Sequence, residues 1–137
     1  MKNAITAETI IQAPIEKVWE LWTTASDIMQ WNNPTDEWHT PNVDINLKED
    51  GRFLFRMETK DGSIGFDHAG KYNKISLHEL IEYTVDDGRK SVIIFTPTNN
   101  STTVTETFEP EPQTPAEMQK EFCQAILNNF KKYVENN

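Results

Sequence analysis

The chain has 137 residues, about one domain's worth, with 36% hydrophobic and 26% charged side chains and a formal net charge of −9. An acidic chain with no basic block is a poor match for nucleic acid, whose binding needs Lys/Arg against phosphates, and for an anionic membrane surface. The lone cysteine, Cys123, excludes an internal disulfide and a cysteine-based zinc cluster.

No apolar run approaches the ~18 residues of a membrane span. Met1 to Thr6 carries no apolar signal core, so a reducing cytoplasm is the expected setting. Ile5 to Gln12 is rich in β-branched residues and reads as a first strand. Pro14 suits the first turn of a helix, and Ile15, Val18, Trp19 and Trp22 follow on one helical face. Ser26 is placed to cap a second short helix carrying Ile28, Met29 and Trp31. Pro34 and Pro41 then bracket an expected loop containing Trp38 and His39.

The middle of the chain is strand territory. Asp50-Gly51, Asp61-Gly62, Asp87-Gly88 and Asn99-Asn100 are turn signals, because these residues accept positive φ. Between them apolar and polar residues alternate. Phe53, Phe55 and Met57 share one face; so do Phe66, His68, Gly70 and Tyr72; so do Ile81, Tyr83 and Val85. Val92 to Phe95 is apolar on both sides, which predicts a cover over its outer face. Val104, Glu106 and Phe108 alternate with Thr103, Thr105 and Thr107. His78 and Glu79 are expected to begin a strand and face solvent. With the first strand and a short one near Val43 to Leu47, about seven strands result, joined mostly by hairpins into a meandering antiparallel sheet.

The segment from Pro110 to Pro115 reads as a stiff connector. Gln113 or Thr114 is expected to open a long helix running to about Glu135. Its apolar residues, Met118 to Val134, fall within an arc of roughly 200°, twice the usual stripe, so the helix must be held on more than one side. At ~31 Å it is long enough to lie across a strongly curved sheet. The order of elements gives an α+β fold, one domain spanning residues 1–137.

A curved sheet around one helix leaves a wedge between them. The four Trp, seven Phe and three Tyr fall mostly at inward positions, and they either fill that wedge or line it around an apolar ligand. As a lining, the two early helices give Trp22 and Trp31. The strands give Phe53, Phe55, Phe66, His68, Tyr72 and Tyr83, then Glu106 and Phe108. The last helix gives Phe122, Ile126 and Asn129. Glu106 and His68 are the polar members to watch, since a buried carboxylate needs a partner, a proton or water.

The residues also carry a resemblance. Pro14-x-x-x-Val18-Trp19-x-x-Trp22-Thr23, Trp31-x-x-Pro34 and Gly51-Arg52-Phe53 resemble the opening half of the SRPBCC (START-like, birch-pollen-allergen-like) superfamily. Gly65 to Ile75, Val104 to Glu109 and Gln124 to Phe130 look like strand and helix motifs of the homologues of the activator of the ninety-kilodalton heat-shock chaperone's ATPase, a single-domain type. The resemblance implies a helix-grip fold: a seven-stranded antiparallel sheet around a long C-terminal helix, with a deep hydrophobic cavity. It implies a hydrophobic small-molecule ligand, adds a chaperone as a second candidate partner, and implies no cofactor. Phe122-Cys123 replaces the Gly-Trp of many relatives, and His68 stands where an aromatic is commoner.

Other motifs fail. Gly65 to Tyr72 is one residue from a phosphate-binding loop but lacks the Ser/Thr after its lysine and reads as strand. The three histidines, His39, His68 and His78, have no supporting ligand pattern for a metal. Cys123 on an apolar helix face reads as inert core. The expectation is therefore a cytoplasmic monomer or homodimer that binds a hydrophobic small molecule. The alternatives are an enzyme using Glu106 or His68 as acid/base, and a chaperone-binding module.

Overall fold

The computed structural model describes residues 1–137. Strand β1 (Ile5–Ile11) is followed by helices α1 (Ile15–Thr23) and α2 (Ala25–Trp31). Six strands come next: β2 (Trp38–Ile45), β3 (Arg52–Thr59), β4 (Gly65–Ser76), β5 (Leu80–Val85), β6 (Lys90–Thr98) and β7 (Ser101–Phe108). Helix α3 (Ala116–Glu135) closes the chain. All neighbouring strands are antiparallel, in the order β1-β7-β6-β5-β4-β3-β2, and the sheet curls into a half-barrel with α3 packed on it. This is the α+β architecture expected from the order of elements, in the helix-grip form that the resemblance implies.

The turn chemistry explains the meander. Asp50, Gly62, Gly88 and Asn99 all adopt positive φ, between 53° and 96°, at the β2–β3, β3–β4, β5–β6 and β6–β7 connections. Gly70 serves the sheet differently: a Cβ there would sit 2.3 Å from the Thr84 carbonyl oxygen, so only glycine lets β4 approach β5 this closely.

Several local expectations are corrected. Trp38 and His39 belong to β2, which ends at Ile45 rather than Leu47. Pro41 is tolerated because β2 is an edge strand with a register shift between His39 and Asn42. His78 sits in the turn before β5 with φ +64°, its ring edge-on to Trp19 at 5.9 Å rather than in open solvent. Ser26 lies inside the first turn of α2, whose cap position is Thr24. Pro115, not Thr114 or Gln113, occupies the cap position of α3. No element covers β6 from outside: Ile93 and Phe95 are buried while Ile94 is 45% exposed.

The other sheet edge is sealed by α3. The outward backbone groups of β1 meet side chains of that helix. Gln124 Nε2 donates to the Glu8 carbonyl (2.9 Å) and Lys131 Nζ to the Ile10 carbonyl (2.6 Å). Glu135 Oε2 accepts the Gln12 N–H (2.8 Å). An edge strand otherwise offers a row of unpaired groups to other chains.

The core concentrates at one end. Leu127, Phe130 and Val134 of α3 have no exposed surface and pack with Val18, Trp19, Ile28 and Trp31. Phe130 meets Trp31 and Trp22 at ring-centroid distances of 4.6 and 4.9 Å, and Trp22 lies 4.9 Å from Trp31. Such edge-on and tilted contacts match the aromatic quadrupoles. The Trp31 indole N–H is satisfied by the Leu21 carbonyl at 3.0 Å.

Candidate functional site

Toward the N-terminal half of α3 the packing gives way to a cavity of about 510 Å³ between helix and sheet. Eighteen of its 28 lining residues are apolar and the other ten are polar or charged. The period-2 alternation of the strands explains who lines it. Phe53 and Phe55 enter from β3, Phe66, His68 and Tyr72 from β4, Tyr83 from β5, and Glu106 and Phe108 from β7. Trp22 and Trp31 form the end wall, and Phe122 and Ile126 descend from α3.

Asn129 is engaged elsewhere. Its Nδ2 donates to the Trp31 carbonyl (2.9 Å) and Asn33 Oδ1 (3.2 Å), tying α3 to the end of α2. It does not line the cavity. Phe66 is at the rim and 40% exposed, stacked edge-on with Trp38, which in turn meets Phe122 at 5.6 Å. Met118, expected on the apolar arc, is 59% exposed beside that rim.

Further polar groups join the lining. Ser91, two residues before buried Ile93, follows from the strand period. Arg89 follows from no pattern in the sequence; it reaches the cavity because Gly88 turns the chain there. Gln119 also borders it, its amide fixing the connector through the Glu111 N–H and the Glu111 and Thr114 carbonyls. Cys123 looks into the cavity from α3.

Register sets the electrostatics. Tyr83 pairs with Tyr72 on one side and Ser91 on the other. His68 Nε2 lies 3.3 Å from the Tyr83 hydroxyl. Glu106 pairs across the strands with Ile93 and Ala7, so its carboxyl rises among apolar neighbours. Burial therefore pushes Glu106 up to about 7, against a smaller opposing effect of the Cys123 thiol. Burial likewise holds His68 down at about 4, helped by the charge of Arg89. Burial raises the Tyr83 hydroxyl and the Cys123 thiol far above their usual ranges, and the Glu106 charge adds to both. At neutral pH the chamber thus presents an uncharged imidazole, an uncharged phenol, an unreactive thiol and a carboxyl poised between its two states. The other histidines lie apart: His39 Nε2 is 3.2 Å from Glu58 Oε1, and His78 rests on Trp19.

The comparisons with known proteins bear on the whole chain. The profile of the activator of Hsp90 ATPase homolog 1-like proteins matches residues 12–135. The chain belongs to that family. A solution structure of an AHSA1-like protein from Aeromonas hydrophila is 36% identical, with a TM-score of 0.89 over 97% of this chain and 92% of the other. A solution structure from Cytophaga hutchinsonii is 47% identical, with a TM-score of 0.85 over 98% and 94%. A crystal structure from Chromobacterium violaceum shares the fold at 19% identity, with a TM-score of 0.85 over the full length of both chains. Among proteins of curated function, none matches the chain. As an AHSA1-like domain it has no helix long and apolar enough to cross a membrane.

Proposed function

We propose that this AHSA1-like chain is a small cytoplasmic protein that holds one hydrophobic small molecule between its sheet and α3. The observation that carries this reading is the chamber of about 510 Å³ beside a tightly packed aromatic core. Protein interiors leave few voids larger than a water molecule, and small-molecule sites commonly span ~300–1,000 Å³ with mainly apolar walls. The walls here come from every strand from β3 to β7 and from all three helices, so the space is a product of the fold and not of one loop.

Native mass spectrometry of the purified chain, mixed with lipids, sterols and polyketide-like aromatics, tests the proposal. One species bound per chain is the expected result, lost when the Ile126→Trp variant fills the chamber. A chain that captures nothing from the panel overturns it.

A second reading, acid–base catalysis on the bound molecule, is favoured by the poised carboxyl of Glu106. Turnover that disappears in Glu106→Gln while binding persists is its signature. The family description carries a third, stimulation of a chaperone ATPase, which an Hsp90 ATPase assay with added chain addresses directly.

A further inference from the structure

The charges around the cavity are unevenly matched. Arg89, Glu106, Glu109 and Glu111 reach it. Arg89 is already ion-paired, its Nε donating to Asp87 Oδ1 and Oδ2 at 2.9 and 2.8 Å. Glu109 is occupied too, accepting the backbone N–H groups of Lys2 (2.9 Å) and Lys90 (2.8 Å). Glu106 is different. None of the ion pairs of the molecule includes it. Glu111, on the connector into α3, accepts the Gln113 N–H with Oε2, while its Oε1 is closed off from solvent with no hydrogen-bond partner. Glu106 therefore has no positive partner in the chain, and one oxygen of Glu111 has unmet hydrogen-bonding capacity.

We propose that the molecule held in the chamber is a lipophilic amine: an apolar, aromatic-compatible body bearing one protonated nitrogen, with Glu106 as its counter-ion. The inference rests on the binding role proposed above. A buried carboxylate without a partner is costly, and a cation brought in by the ligand removes that cost. Phe108 shares the strand face of Glu106 and Phe122 adjoins Cys123 on α3, so π-faces that favour an ammonium group line the same chamber. A fatty acid or other anion would meet three carboxyl groups and a single cation, Arg89, already ion-paired with Asp87. A neutral molecule would leave Glu106 as it is.

The surroundings of Glu106 supply no competing charge. Cys123 faces it from α3 and Tyr83 from β5, both uncharged, and His68 of β4 stands behind Tyr83 unprotonated. From β1 and β6 it meets Ala7 and Ile93. An ammonium beside the carboxyl favours its ionised form, so below pH 7 binding must expel a proton. Affinity for the amine then falls by up to about tenfold per pH unit, while affinity for a neutral analogue stays level.

Three fluorescent probes with one body test this: anthracen-9-ylmethylamine, anthracene-9-methanol and anthracene-9-carboxylate. Each is titrated into the full chain and into Glu106→Gln at about pH 8 and about pH 5.5. The expected result is an amine bound about tenfold or more tightly than the alcohol at the higher pH, with the carboxylate weakest. Glu106→Gln should lose that preference, and an unchanged near-ultraviolet circular dichroism spectrum shows separately that the variant is folded. An alcohol or carboxylate bound as tightly as the amine, or an amine indifferent to Glu106→Gln, overturns the amine and leaves the cavity's binding role standing. Failure of all three probes overturns the amine as well, and the mass-spectrometric panel then shows separately whether the chamber binds anything.

Discussion

The two halves of α3 carry the same kind of side chain into opposite surroundings. In the C-terminal half, Leu127, Phe130 and Val134 are wholly enclosed by α1, α2 and the sheet. In the N-terminal half, Phe122, Cys123 and Ile126 border about 510 Å³ of space, and Met118 is mostly exposed. Apolar periodicity is identical for a residue that fills and a residue that lines. What separates them is which partners lie opposite: the indoles of Trp19, Trp22 and Trp31 at one end, the mouth of a curled sheet at the other. One half serves as anchor and the other as wall.

The contrast is most easily broken by truncation. Phe130→Ala should cost about 3–5 kcal/mol in chemical denaturation, because it empties a fully enclosed aromatic site. Phe122→Ala should cost about 1 kcal/mol or less, since it widens an existing space. Equal losses would mean the two halves are packed alike.

The second prediction concerns pH. Glu106 is raised to about 7 from an ordinary value of 4.5, so its contribution to stability is full below pH 4.5 and is lost as pH rises through 7. His68 is lowered to about 4 from 6.5, so its contribution is full above pH 6.5 and is lost as pH falls toward 4. Between pH 4.5 and 6.5 the folded chain holds one extra proton on Glu106 while the unfolded chain holds one extra on His68, and the slopes cancel. Removing either residue exposes the other. His68→Gln should become less stable with rising pH and Glu106→Gln more stable, each by up to about 1.4 kcal/mol per pH unit, as read from urea midpoints at several pH values. Two flat profiles would show that water fills the chamber and relieves both groups.

Smaller effects sharpen the picture of the anchored half. Asn129→Ala should cost about 0.5–1.5 kcal/mol by removing its bonds to Asn33 Oδ1 and to the Trp31 carbonyl, which keeps the Asn33 N–H. Gln124→Ala should cost about 1 kcal/mol or less, but the Glu8 amide, which donates to the Gln124 side chain, should exchange with deuterium faster.

Much of this architecture was legible in the sequence because turn chemistry is local. Gly62, Gly88 and Asn99 announce their hairpins by residue type alone, and strand alternation places Glu106 and Val104 on one face. The first half of β2 was not legible, since Pro41 reads as a breaker until the strand is known to lie at an edge. Asn129 shows the same limit: a polar residue on an apolar arc is inward either way, and only the position of the Trp31 carbonyl decides its role. The volume of the chamber is likewise invisible in one dimension, because it depends on how far the sheet curls away from α3. That Glu106 has no positive partner depends on its neighbours on β1, β4, β5, β6 and α3 being uncharged.

The pair Trp22 and Trp31 has one more consequence. Both indoles border the chamber, and they lie 4.9 Å apart and against Phe130. Chromophores this close share their excitation, so near-ultraviolet circular dichroism and tryptophan emission should report events at the boundary between wall and anchor. The molecule carries its own optical gauge, which needs no label to register a guest arriving.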